Sequence, residues 1–118
     1  MDFDEAARAH SSWKRRLVAY SVKRDGSLNI AEVQADDRCE LGRWIHGEGL
    51  ARHSMLPEFA TLKEQHTRFH RAAAVVLQHI EAGTFESEEI ALGASSPFSE
   101  ASSACVSALM AMKRRTIR

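Results

Sequence analysis

Four residues in this chain carry side chains that bind metal ions, at positions where folding can bring them together. Cys39 stands in CELGRW, three residues before Gly42 and five before Trp44. HTRFH, residues 66 to 70, places two histidines at i and i+4, which on a helix project from one face a turn apart and can reach one ion. His10 falls on an apolar stripe between Ala6 and Trp13. In a chain with six histidines one such pair carries little weight, and a lone histidine on a stripe is ordinarily a hydrogen-bonded core residue. Three imidazoles directed at one interior are harder to accommodate, because each buried ring needs partners for two nitrogens. A cation satisfies one nitrogen of each, and Cys39 adds a fourth corner. Gly42 lets the backbone fold tightly there, and Trp44 anchors the loop. Three imidazoles and one thiolate suit tetrahedral Zn²⁺, so the expected metal ligands are His10, Cys39, His66 and His70.

The elements that must position these residues read as helices. From about Phe3 to Lys23, residues 3, 6, 10, 13, 17 and 20 form an amphipathic stripe, with Asp2 or Asp4 to start the helix and RDGS to end it. Residues 28 to 56 hold Asp36-Asp37 and three glycines, and allow only short helical turns. Pro57 suits the first position of a long helix running to about Glu81, with Gly83 as its stop. Its expected buried stripe is Phe59, Leu62, His66, Phe69, Ala73, Val76 or Leu77, and Ile80. The last segment, about Glu86 to Arg114, sets Phe98, Ala101, Cys105, Ala108 or Leu109, and Met112 on one face. Within it Pro97 either begins a fresh helix behind a Ser96 cap or kinks a longer one. No strand alternation and no repeat is present. The expected fold is a single all-α domain over residues 1–118, an antiparallel four-helix bundle with an additional short helical turn around the Cys39 motif.

Composition narrows the function. A chain of 118 residues, 44% hydrophobic and 27% charged, reads as one ordinary globular domain. Sixteen basic residues balance sixteen acidic ones, so no bulk field attracts nucleic acid or an anionic membrane. The basic run KRRTIR at residues 113–118 has no interleaved aromatic residues to stack bases and reads as a solvated tail. The acidic start MDFDEAARAH lacks a secretory pattern, and no apolar run reaches the roughly 20 residues of a spanning helix. A cytoplasmic chain is expected, with Cys39 and Cys105 as separate thiols and Cys105 as a small core residue. His46, His53 and His79 are expected to face solvent. Arg38, beside Cys39, either favours the thiolate or is a solvated neighbour.

At these residues the chain resembles the chemoreceptor zinc-binding (CZB) domain family. CELGRW is similar to that family's Cys-x-Leu/Phe-Gly-x-Trp motif. HSSW supplies the histidine and following aromatic of its first helix as His10 and Trp13, and HTRFH supplies its HxxxH as His66 and His70. The resemblance implies a regulatory zinc module with a His₃Cys site, usually fused to chemotaxis receptors or diguanylate cyclases, in which zinc tunes the output. In some members the cysteine senses hypochlorous acid, and homodimers occur. The residues given hold no output domain, so the chain is expected either to act alone, docking on a chemotaxis or cyclic-di-GMP signalling partner, or to be an excised piece of a larger protein. The alternatives are a redox sensor acting through Cys39 and a purely structural zinc. An enzyme is not expected, since four protein ligands leave no open position for water or substrate. A di-iron centre is disfavoured because Glu64 and Glu81 lack an ExxH arrangement.

Overall fold

A computed structural model describes residues 1–116. Its helices are α1 (Phe3–Ser11), α2 (Trp13–Val22), α3 (Ile30–Gln34), α4 (Glu40–His46), α5 (Glu48–His53), α6 (Pro57–Ala82), α7 (Glu88–Leu92) and α8 (Pro97–Thr116). No strand is present among the described residues, and the fold class is all-α as expected. The long rods are α1–α2, α6 and α8. α8 packs along both α6 and α1, and the short α3 lies against α6 where a fourth rod would stand. At 26 residues α6 spans about 39 Å, most of the molecule's 46 Å long axis.

The N-terminal stripe, expected as one helix, is interrupted at Ser12. Asp2 caps α1 by accepting from the Glu5 amide at 3.0 Å, and Asp4 and Glu5 lie at the positive end of its dipole. Ser12 stays in the right-handed region, but its hydroxyl donates to the Ala9 carbonyl at 2.7 Å. The main chain still donates to the Arg8 carbonyl at 3.1 Å, so the interruption is a single residue between two helices that run on in nearly the same ladder. His10 stands in the last turn of the first of them.

α6 begins with Pro57 at its first turn and ends at Gly83, whose φ of 74° places it in the left-handed region that favours glycine. Its expected stripe is buried throughout, from Phe59 and Leu62 to Leu77 and Ile80. Arg24 donates to the Ile80 carbonyl at 2.7 Å, and the Tyr20 hydroxyl donates to Glu81 at 2.7 Å, which closes the far end of α2 onto the end of α6.

Pro97 begins a new helix, so the final segment is split and not kinked. The Ser96 hydroxyl accepts from the Ser99 amide at 3.2 Å and donates to the Gly93 carbonyl at 2.7 Å. α7 is a separate short turn capped by Ser87. α8 buries Phe98, Ala101, Cys105, Ala108, Leu109 and Met112, so Cys105 is a core residue as its position suggested. Of the basic run, Lys113 pairs with Asp4 at 2.8 Å and Arg115 with Glu58 at 3.6 Å. Residues 113–116 are the last turn of α8 rather than a free tail, and both side chains stay partly solvated while facing α1 and α6. Ile117 and Arg118, the end of that run, lie outside the described residues.

Candidate metal centre

The four ligand candidates arrive on three separate parts of the fold and converge. His66 and His70 come from successive turns of α6, His10 from the last turn of α1, and Cys39 from the residue that caps α4. One ligand atom of each lies within 4.8 Å of all the others. The Cys39 Sγ is 3.3 Å from His66 Nε2, 3.7 Å from His70 Nε2 and 4.0 Å from His10 Nε2, and the two α6 Nε2 atoms are 3.0 Å apart. A tetrahedral zinc with ordinary bond lengths needs nitrogen–nitrogen edges of about 3.3 Å and nitrogen–sulfur edges of about 3.6 Å. The donor set fits such an ion in type and number, and the four edges given, from 3.0 to 4.0 Å, bracket those lengths.

Two of the imidazoles are oriented by backbone carbonyls. His10 Nδ1 bonds the Ala6 carbonyl and His70 Nδ1 the Val33 carbonyl, each at 2.8 Å. A carbonyl only accepts, so Nδ1 carries the ring proton in both, and the neutral ring turns its Nε2 lone pair toward the centre. The Ala6 bond is local to α1, whereas the Val33 bond locks α3 to α6. Phe69 stacks edge-on to His10 and His70, with ring centroids 5.2 Å and 5.5 Å apart, and closes the inner side.

Burial sets the protonation states. The three histidines are between 1% and 3% exposed. Desolvation pushes all three below the ordinary histidine range; the neighbouring His70 and His10 rings push His66 further, to about 3. At neutral pH the imidazoles are uncharged rings. Burial pushes the Cys39 thiol up, opposed by the Gly42 and Leu41 amides and then by Arg43. Arg43 is the charged neighbour that favours the thiolate, behind the amides. Arg38 instead reaches Glu32 at 3.9 Å and lends its carbonyl to the Arg43 guanidinium at 2.7 Å.

Three positions of the CELGRW motif have distinct tasks. Cys39 takes an extended backbone, and its Sγ accepts from the Gly42 amide at 3.3 Å, which caps α4. A methyl group at Gly42 would overlap the Asp36 carbonyl oxygen, so the close return of the chain over residues 36 to 42 requires glycine. Trp44 wedges between Phe3 and Phe59, with centroids at 5.5 Å and 6.0 Å, and joins α4 to α1 and α6. Trp44 also packs on His53 at 5.8 Å, so His53 is half-buried and not the solvent-facing residue expected from sequence. His46 and His79 are exposed as expected.

Sequence reasoning missed the groups that surround the ligands. The Ala6 and Val33 carbonyls are backbone groups and leave no mark in the residue types. Asp36 and Thr67, which bond across from the Cys39 loop to α6, are 31 positions apart. The only available signal was Asp36 lying three residues before Cys39.

An all-helical domain with three imidazoles and one thiol gathered at a point belongs to the class of metal-binding helical modules. The family of chemoreceptor zinc-binding domains matches residues 10–77, a span that opens on His10 and contains Cys39, His66 and His70. The match covers more than half the chain, and the chain belongs to that family. Neither the curated proteins nor the solved structures yielded a match. Among the described residues no helix is long and apolar enough to cross a membrane.

Proposed function

We propose that the protein is a zinc-responsive signalling module in which His10, Cys39, His66 and His70 bind one Zn²⁺ and occupancy of the site is conveyed to a chemotaxis or cyclic-di-GMP signalling partner through helix packing. The convergence of four donor atoms within 4.8 Å carries this reading. Zinc supplies a borderline-soft Lewis acid that accepts imidazole and thiolate together and imposes no geometry of its own. The histidines bind as the neutral rings that burial already enforces, so the proton lost on binding is that of Cys39. Because the ligands sit on α1, at the start of α4 and on α6, drawing them to one point fixes how these parts pack, and releasing them frees that packing. With all four positions filled by protein there is no place for substrate, and the module is not an enzyme.

The test is a competition titration with a zinc chelator for wild type and Cys39→Ser. One zinc per chain, about one proton released per zinc at pH 7, and affinity weakened on the order of 100-fold by the substitution are expected. Equal affinity in both proteins would overturn the assignment. The measured affinity also separates a sensor, which exchanges zinc at cellular levels, from a structural site that does not.

A second reading, an oxidation sensor acting through Cys39, has one observation in its favour. Cys39 is the least buried of the four, and with His10 and Leu41 it lines a pocket of about 110 Å³ that opens to solvent. A small oxidant such as hypochlorous acid would reach the sulfur there and, a thiolate being the stronger nucleophile, would react with it in preference to the His10 imidazole. Oxidation of Cys39 in step with zinc release would establish it, and zinc exchange without oxidation would remove it.

A further inference from the structure

Asp36 is the second residue of the short connection from α3 to α4 and is half-buried. Its carboxylate is shared. One oxygen accepts from the Thr67 hydroxyl on α6, and the other lies 3.4 Å from His46 Nε2 at the end of α4. Its carbonyl oxygen sits where a side chain at Gly42 would go, so its main chain rests directly on the first turn of α4. A single residue thus touches the element that carries Cys39 at both ends, at Gly42 and at His46, and touches α6 one residue after His66. Apart from the Sγ contacts with the histidines, no other side-chain hydrogen bond among the described residues links residues 35–47 to α6.

We propose that Asp36 is a positioning residue for the metal centre: through Thr67 and His46 it fastens the Cys39 loop to the His66 turn of α6 and sets a negative charge beside the buried imidazoles. The inference rests on the reading of His10, Cys39, His66 and His70 as metal ligands. Its physical basis is that four ligands from separate elements bind tightly only if the loop is already in place, because ordering a free loop would cost binding energy. The carboxylate acts on the site through charge as well: bonded to Thr67, one residue after His66, it sets a negative charge whose field a metal cation at the site would feel. Thr67 has a second acceptor in the Lys63 carbonyl at 3.0 Å, the usual resting bond of a helical threonine. Its turn toward Asp36 is therefore a tertiary contact in addition to its helical one.

The experiment measures zinc affinity of the full chain by chelator competition, with the Co²⁺ derivative read for its thiolate charge-transfer absorption. It uses wild type, Asp36→Asn and Thr67→Val. Asp36→Asn keeps the shape and removes the charge, and Thr67→Val keeps the charge and removes the tie. Each is expected to weaken zinc binding by about 10-fold or more, with a reduced thiolate band and with the helix content and melting of the zinc-free chain close to wild type. Wild-type affinity in Asp36→Asn overturns the proposal. So does a loss of affinity that merely follows unfolding of the zinc-free chain, since Asp36 would then be a general structural residue. If wild type itself binds no zinc through Cys39, the ligand assignment fails first and the role of Asp36 falls with it.

Discussion

At Gly42 the chain tolerates no side chain because the Asp36 carbonyl oxygen occupies the space. Backbone, not a flexible side-chain end, is the obstacle, so the strain of a substitution cannot be relieved by a rotamer change. Gly42→Ala must displace either residue 36 or the first turn of α4, and both movements carry Cys39 away from His66. The expected cost is about 1–3 kcal/mol of stability, together with a loss of zinc affinity at least as large as that of Asp36→Asn. Urea unfolding and the chelator titration measure the two effects. A Gly42→Ala protein with wild-type values in both would show that this return of the chain is not as tight as its geometry implies. The same residue shows what sequence alone makes legible. That a glycine in CELGRW serves a tight fold follows from its type, but which atom it makes room for depends on a contact six residues upstream.

At the scale of elements, periodicity located the long helices well and their breaks poorly. The α6 stripe was readable because one apolar face runs between two unambiguous punctuation marks, Pro57 and Gly83. The break at Ser12 was not, since a serine on a helix surface is compatible with an unbroken rod, and Ser21 makes the same kind of bond to the main chain inside α2 without a break. The start of α8 was left open between a kink and a cap. Ser96 decides it, being itself buried and bonded at both its hydroxyl's donor and acceptor sides. Ser96→Ala is expected to lower the stability of the metal-free chain by about 1–2 kcal/mol, as read by chemical unfolding. A change of a few tenths would mean that Pro97 alone starts the helix. Residues 28 to 56 were legible only as short turns, because α3, α4 and α5 are five to seven residues long and draw their stability from packing on α6 and around Trp44.

For the whole molecule, the metal centre makes stability depend on pH from both sides. His10, His66 and His70 bind protons less well folded than unfolded, with His66 displaced from the ordinary 6.5 to about 3. As pH falls through 6.5 the unfolded chain takes up protons that the folded chain refuses, so the metal-free protein loses stability between pH 6.5 and about 3. The thiols act in the opposite direction. Burial raises Cys39 and takes Cys105 from the ordinary 9.0 to about 12. Above pH 9 the unfolded thiols ionise while the folded ones keep their protons, and stability falls again. The metal-free chain is expected to be most stable between about pH 7 and 8.5. Zinc adds to this near neutrality through its binding free energy, an amount that grows with the logarithm of free zinc over its dissociation constant. In acid, protons compete for the same Nε2 atoms and the sulfur, so the acid limb of the zinc-loaded protein is steeper than that of the metal-free protein. Urea unfolding followed by circular dichroism at a series of pH values, with and without zinc, tests this directly. Metal-free stability that stays level from pH 7.5 to 4.5 would show that the histidines are not buried as neutral rings. The preorganised donor set, and with it the proposed signal, would then have no basis.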